Sequence, residues 1–100
     1  MSSQYTRFVI LLNRPSETIT PDSAIRAHVA YLRALDKKGK LVMCGPFADY
    51  PGGMVIVKVS GLDEAKEIAS ADPFVTGGFR MAEVRTWQLS CEENNHMGRG

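Results

Sequence analysis

The chain has 100 residues, the size of one globular domain, with 44% of them hydrophobic and 23% charged. This balance excludes global disorder, and the net charge of +1 lacks the basic surplus of an electrostatic nucleic-acid binder. No apolar run approaches the ~18 residues of a membrane span, and the first residues do not resemble a signal peptide. We therefore expect one cytoplasmic domain, with no membrane and no nucleic acid among its partners.

The chemistry-bearing motifs of common cofactor sites do not occur in this sequence. Cys44 and Cys91 lack the spacing of a metal-ligand cluster, and we interpret them as two reduced thiols. No phosphate-binding loop, dinucleotide-binding fingerprint or nucleophile elbow is present. The motifs therefore predict no metal site.

The first half of the chain predicts a strand, a helix and a second strand. Residues 5–12 are β-branched, aromatic and apolar without alternation, which is typical of a central strand covered on both faces. A helix follows, with Thr20 as the predicted N-cap and Pro21 at its first position. Residues 41–47 predict the second strand, and Gly45–Pro46 near its end favours a sheet edge, because proline cannot donate to a ladder. The predicted helix between these two strands has one apolar stripe at helical spacing, made of Ile25, Val29, Leu32 and Leu35.

The second half of the chain repeats this order. Residues 54–59 predict a third strand that is apolar on both faces, and the short connection makes it a hairpin with the second strand. Ser60 or Asp63 is the predicted cap of a second helix, which ends before Asp72–Pro73 because a residue preceding proline avoids helical geometry. Residues 79–89 predict the last strand.

The predicted order is β-α-β-β-α-β. Right-handed crossovers that keep the first and third strands central give an antiparallel, ferredoxin-like α+β sandwich with strand order 4-1-3-2. We assign residues 1–90 to this domain and residues 91–100 to a flexible C-terminal tail. Two helices cover only one face of such a sheet, so we expect a homodimer in which a second subunit covers the other face.

His28 is the most informative candidate for chemistry. It lies three residues after Ile25 and four before Leu32, on the helix face that packs toward the sheet. A histidine there can be a structural residue with satisfied hydrogen bonds, or a general base shielded from water. The spacing leaves both interpretations open. The other histidine, His96, lies in the predicted tail.

Asp72 is the candidate partner of His28. It precedes a proline, so it can be a turn residue that bonds local amides, or a carboxylate that orients the imidazole through one ring N–H. Gly45 and Pro46 either line the mouth of a pocket or belong only to the hairpin connection. Arg7, Arg14 and Arg80 can bind an anionic substrate or be ordinary surface charges.

These pieces together resemble the YCII-related (YciI-like) family over residues 5 to 90. The resemblance rests on short motifs in a given order and spacing: His28-Val29-Ala30-Tyr31-Leu32, Gly39-Lys40-Leu41, Gly45-Pro46, Ala71-Asp72-Pro73-Phe74-Val75 and Gly77. It implies a ferredoxin-like domain in a dimeric α+β barrel, with a catalytic site on a histidine and an aspartate that map onto His28 and Asp72. It implies no cofactor. Gly45, Pro46 and Phe74 are then the candidate substrate-binding residues.

Two function classes follow from this resemblance and from the residues. The first is a cofactor-independent lyase or isomerase that uses His28 and Asp72 for proton transfer on a small cyclic or aromatic substrate. Members similar to this domain include a dehydrochlorinase that acts on a chlorinated hydroxyquinol. The alternative is a non-catalytic small-molecule binding or interaction module that uses the dimer cleft. Catalysis requires His28 and Asp72 to lie close together and open to a pocket, whereas a binding module tolerates a buried, fully bonded His28.

Overall fold

The computed structural model describes residues 3–15 and 19–100, so part of the predicted polar connection after the first strand lies outside the described residues. The main elements are β1 (Thr6–Asn13), α1 (Asp22–Lys37), β2 (Leu41–Pro46), β3 (Gly52–Val57), α2 (Leu62–Ala71), α3 (Pro73–Thr76) and β4 (Met81–Gln88). Short helical turns lie at Ser3–Tyr5, Glu92–Asn94 and Asn95–Gly98. None of the helices in the described ranges is long and apolar enough to cross a membrane.

The four strands form one antiparallel sheet with the order β2-β3-β1-β4. The two strands that are apolar on both faces, β1 and β3, are central, and Ile10 pairs with Val55 on one side and with Val84 on the other. Pro46 ends the edge strand β2, where its missing N–H costs no ladder bond. The predicted ferredoxin-like α+β sandwich, including its strand order, is confirmed.

The hydrophobic core lies between the sheet and the helices. Alternate residues of β1 and β3 point to this side, because side chains of a strand alternate between its two faces. The helices contribute Leu35 from α1 and Ala65, Ile68 and Ala69 from α2. The strand residues of this core are Phe8, Ile10, Leu12, Val55 and Val57.

The opposite side of the sheet has no helix over it, and we call it the open sheet face. On this face Ile56 of β3 lies between Val9 of β1 on one side and Met43 of the edge strand β2 on the other. Met43 and Met81 are 61% and 64% exposed there. By the strand register, the apolar members of the open sheet face are Val9, Leu11, Met43, Met54, Ile56, Met81 and Trp87.

The predicted buried stripe of α1 is partly wrong. Ile25 and Val29 are exposed, whereas Leu35 is buried in the core. Ala24, Tyr31 and Leu32 pack against that core, and His28 is mostly buried between them. The reason is that the first turns of α1 lie over a cavity rather than over the sheet, so Ile25 and Val29 line its wall.

Both helix caps also differ from the prediction. The N-cap of α1 is Pro21, in extended conformation and without a side-chain bond, while Thr20 Oγ1 accepts from Arg80 Nη1 at 3.0 Å. The N-cap of α2 is Gly61 rather than Ser60 or Asp63. In each case the predicted hydroxyl lies one residue too early and has another hydrogen-bond partner.

Glu64 ties the start of α2 to the sheet. Its Oε2 accepts from Lys40 Nζ at 2.6 Å, and its Oε1 accepts from Ser60 Oγ at 2.8 Å and from the Ser60 amide at 3.2 Å. These hydrogen bonds, above all that of Lys40, lower the pKa of Glu64 from 4.5 to about 2.

This shift predicts an acid-dependent contribution to stability. A carboxyl group whose pKa is lowered by folding stabilises the native state above its unfolded pKa and loses that effect as the pH falls through the folded value. Glu64→Gln should therefore lower the melting temperature slightly at neutral pH, because the pair is partly exposed. The difference from the wild type should shrink as the pH falls from 4.5 towards 2. A difference that grows in acid would contradict this account in thermal melts across that range.

The predicted tail, residues 91–100, folds back as short turns. Asn94 Nδ2 donates to the Leu89 carbonyl at 2.7 Å, and Asn94 Oδ1 accepts from the Cys91 amide at 3.1 Å. No residue of this segment is buried. The flexibility of the tail stays a prediction.

Candidate active site

His28 and Asp72 are in direct contact in the folded chain. His28 Nδ1 lies 2.8 Å from Asp72 Oδ1, with the side chains 12% and 5% exposed. The residues are separated by 44 positions and belong to α1 and to the junction of α2 with α3. The fold therefore brings together the two residues that the sequence proposed as a pair, and their catalytic role stays a prediction.

The Asp72–Pro73 dipeptide explains why the carboxylate is held there. Asp72 has extended backbone angles, as expected before a proline, so α2 ends and α3 begins with Asp72 as its N-cap. Its Oδ1 accepts from the Phe74 amide at 2.9 Å. The same oxygen thus serves the helix cap and His28, so both of the interpretations that the sequence left open for Asp72 apply.

Phe74 fixes the plane of the imidazole. The two rings are stacked with centroids 3.9 Å apart and an interplanar angle of 13°. The guanidinium of Arg80 also lies over the Phe74 ring, with its Cζ 4.8 Å from the ring centroid. Phe74 itself is buried, so this ring is a rigid support for His28.

The hydrogen bond to Asp72 determines which nitrogen of His28 is available. A carboxylate accepts, so Nδ1 carries the proton and Nε2 carries the lone pair in the neutral ring. Nε2 has no hydrogen-bond partner among the described residues. Since no buried side-chain nitrogen or oxygen in the described ranges lacks a partner, Nε2 is in contact with solvent.

His28 lines a cavity of about 470 Å³ between α1, the hairpin of β2 and β3, and α3, which we call the His28 cavity. Its volume lies in the usual range of small-molecule sites. Gly45, Pro46 and Phe74, the candidate substrate-binding residues, all line it. Its apolar wall is formed by Leu12, Ile25, Val29, Leu32, Met54 and Val55.

Two glycines allow the strands to approach each other at the floor of this cavity. Gly52 has φ +140°, and a Cβ there would lie 2.4 Å from the Leu12 carbonyl oxygen. A Cβ on Gly53 would lie 2.9 Å from the carbonyl oxygen of Gly45. The turn signal that the sequence shows after Pro51 therefore also marks backbone that must remain free of side chains.

Two further residues lie near the pair: Tyr31, which was not predicted as part of the site, and Arg80, for which the sequence left anion binding and ordinary surface charge open. Tyr31 donates its hydroxyl to the Ile68 carbonyl at 2.8 Å, and burial, together with the Asp72 charge, raises its pKa. Arg80 lines the His28 cavity. The i, i+3 spacing of His28 and Tyr31 on one helix face was a sequence signal for Tyr31, whereas nothing in the sequence distinguished Arg80 from Arg7 and Arg14.

Cys44 also lines the cavity, but its thiol is held in the neutral form. Partial desolvation and the carboxylate of Asp36 raise its pKa, which disfavours the nucleophilic thiolate. No group of three or more metal-ligating side chains occurs within residues 3–15 and 19–100. His28 is thus the side chain of this cavity best suited to proton transfer.

Comparison with known proteins finds a family match for the chain. The model of the YCII-related domain matches residues 6–88. "Uncharacterized protein YjpA" of Bacillus subtilis (strain 168) is 35% identical over 65 residues, which are 65% of this chain and 76% of that protein. A solved structure, 5-chloro-2-hydroxyhydroquinone dehydrochlorinase (TftG) from Burkholderia phenoliruptrix AC1100 in complex with 2,5-dihydroxybenzoquinone, is similar with a TM-score of 0.69.

The structural similarity covers 90% of this chain and 99% of that protein at 24% identity, so it supports the fold. The family match extends over most of the chain, from the first residue of β1 to the last residue of β4. The chain belongs to the YCII-related family.

Proposed function

We propose that this protein is a cofactor-independent lyase or isomerase that moves a proton on a small cyclic or aromatic substrate. The observation that carries the proposal is the state of His28: Nδ1 is bound to a nearly buried carboxylate at 2.8 Å, while Nε2 remains accessible beside a cavity. A histidine with both nitrogens bonded within the protein would have no lone pair free to take a proton from a ligand.

The proposed step begins with a substrate bound in the His28 cavity. Nε2 takes a proton from a carbon or hydroxyl group, and the electron pair of the broken bond forms a new double bond in the substrate. In a lyase this new double bond expels a leaving group with its bonding electrons, and the imidazolium releases the proton to that group or to solvent. In an isomerase the new double bond displaces an existing one, whose electrons bond the proton that the imidazolium returns. Asp72 stabilises the imidazolium and holds the ring in the required tautomer.

Shape and relatives support a ring-shaped substrate. The cavity of about 470 Å³ is apolar on most of its wall and has few polar groups, which suits a small planar ring. The similar protein TftG is by its title a dehydrochlorinase and was solved with 2,5-dihydroxybenzoquinone. We therefore propose phenols, quinols and lactones as the classes to examine first.

The test is a screen of the purified protein against small phenolic, chlorinated hydroquinone and lactone compounds, read out by absorbance and by NMR of the products. Turnover that is lost in His28→Ala supports the proposal. Saturable binding of these compounds without turnover would contradict it, and would instead indicate a non-catalytic binding module.

Asp72→Asn separates the charge of the pair from its geometry. Both hydrogen bonds of Asp72 use Oδ1, which asparagine retains as an acceptor, so the cap of α3 and the tautomer of His28 should persist. Loss of the charge should lower kcat by about tenfold to a hundredfold with little change in KM. The matched control is Asp49→Asn in the exposed hairpin. An unchanged kcat in Asp72→Asn would show that the carboxylate has no part in the proton transfer.

We also propose that the protein is a homodimer, joined through the open sheet face. Val9, Leu11 and Ile56 form its centre, and apolar patches of this kind are uncommon on monomers. The face pairs Glu83 with Arg85 at 2.6 Å, so it carries no surplus charge of either sign from these two residues. A surface that is apolar at its centre fits a second copy of itself, because each copy removes the other's apolar side chains from water.

A further inference from the structure

The His28 cavity contains a second polar group to which the proposed proton transfer assigns no role. Arg80 follows α3 and precedes β4, and its side chain lines the same cavity as His28. Its guanidinium lies against the Phe74 ring that also stacks on the imidazole. Phe74 therefore fixes both a base and a cation at the wall of one small cavity.

The charge of Arg80 is not compensated by the described residues. Nη1 donates to Thr20 Oγ1 at 3.0 Å and to the Phe79 carbonyl at 2.8 Å, and both acceptors are neutral. No carboxylate within residues 3–15 and 19–100 is within ion-pair distance of it. The remaining N–H groups of the guanidinium, on Nη2 and Nε, have no partner in the described ranges.

The surroundings strengthen this positive potential. Partial burial and the nearby charge of Arg14 lower the pKa of Arg80, which shows that a second cation acts on the same position. A guanidinium still remains protonated at neutral pH. The carboxylate of Asp72 is engaged by His28 and by the Phe74 amide. An anionic ligand would therefore gain a charge-assisted contact at Arg80 that a neutral ligand lacks.

We propose that Arg80 is the anion-binding residue of the His28 cavity, and that the substrate is a ring carrying a carboxylate, phenolate or enolate oxygen. The fork of free N–H groups matches the two oxygens of a carboxylate or the single oxygen of an enolate. This inference rests on the proposed function for its catalytic meaning: when His28 removes a proton, Arg80 lies where negative charge on the substrate oxygen is stabilised.

Equilibrium binding tests the inference without any need for turnover. The probes are benzoate and its neutral counterpart benzamide, followed by chemical-shift changes in the ¹⁵N-labelled protein. We expect benzoate to bind about tenfold more tightly than benzamide, and this preference to decrease with added salt. Equal affinity for the two probes in the wild type would overturn the proposal.

Variants of Arg80 test whether this residue causes the preference for benzoate over benzamide. Arg80→Met retains the aliphatic packing on Phe74 and should lose the preference for benzoate, whereas Arg80→Lys should keep part of it. Arg33→Met, on the exposed side of α1, is the matched control and should bind as the wild type does. Should Arg80→Met fail to fold, the lysine variant and the salt dependence of the wild type decide the question. A full preference in a folded Arg80→Met would overturn the proposal.

Two further variants separate this inference from other accounts. His28→Ala should lose turnover but keep the preference for benzoate, so a failure of the proposed catalysis leaves the anion site measurable. A carboxylate beside Arg80 would neutralise its charge and compete with an anionic ligand. Glu17, which lies outside the described residues, is therefore replaced as a control. If Arg80 is free to bind an anion, Glu17→Gln should bind benzoate as the wild type does. A preference for benzoate over benzamide that appears only in this variant would overturn the proposal.

Discussion

Replacing His28 with alanine should lower kcat by about 10²–10⁴-fold, the usual contribution of a general acid–base group. The fold should survive, because Asp72 keeps its bond to the Phe74 amide and His28 is not part of the main apolar core. The expected loss of stability is about 1–3 kcal/mol, from the lost stacking on Phe74 and the lost bond to Asp72. Steady-state kinetics and urea unfolding measure the two effects separately.

Added imidazole provides the control for this prediction. The space left by the ring is bounded by Phe74 and Asp72, so free imidazole should bind there and restore part of the turnover. His96→Ala, which removes the exposed histidine of the C-terminal segment, should leave kcat unchanged. If His28→Ala retained most of the activity, the acid–base group would have to be another side chain of the cavity.

A lysine at position 11 should separate the proposed dimer. Leu11 lies on β1 at the centre of the open sheet face, opposite Glu83 of β4. In the monomer the lysine can remain in water beside that carboxylate, whereas in the dimer its charge would be buried. We expect dimer dissociation at least about a hundredfold more favourable in Leu11→Lys, measured by sedimentation equilibrium.

Leu62→Lys is the matched control for this experiment. Leu62 is an exposed leucine at the start of α2, away from the sheet, and its replacement should leave the oligomeric state unchanged. A wild-type protein that sediments as a monomer at micromolar concentration would contradict the dimer proposal, and so would an undisturbed dimer in Leu11→Lys.

The topology was predictable from sequence because its signals are independent of one another. The apolar runs of β1 and β3 identify central strands, and right-handed crossovers then leave one arrangement of four strands. The same topology places the residues after α2 beside α1, so a His28–Asp72 contact was a reasonable hypothesis. Its distance and the sharing of Oδ1 with the Phe74 amide depend on packing, which no spacing rule provides.

The wrong burial predicted for the start of α1 has one physical cause. Periodicity shows which residues share a helix face but not whether that face rests on the sheet or on a cavity, so Ile25 and Val29 were assigned to the core. The role of Arg80 likewise depends on the fold. The sequence does not show that this arginine lines a cavity and donates only to neutral acceptors, and these two facts identify it as a candidate anion-binding residue.

The proposed proton transfer requires His28 to present an unprotonated Nε2 to the cavity while Asp72 holds Nδ1–H. Two-dimensional ¹⁵N NMR of the imidazole, at a pH where the ring is neutral, measures the tautomer directly. We expect a protonated Nδ1 and an acceptor-type Nε2 whose resonance shifts when 2,5-dihydroxybenzoquinone is added. A protonated Nε2 with a lone pair on Nδ1, or an Nε2 resonance unaffected by a bound ligand, would contradict the account.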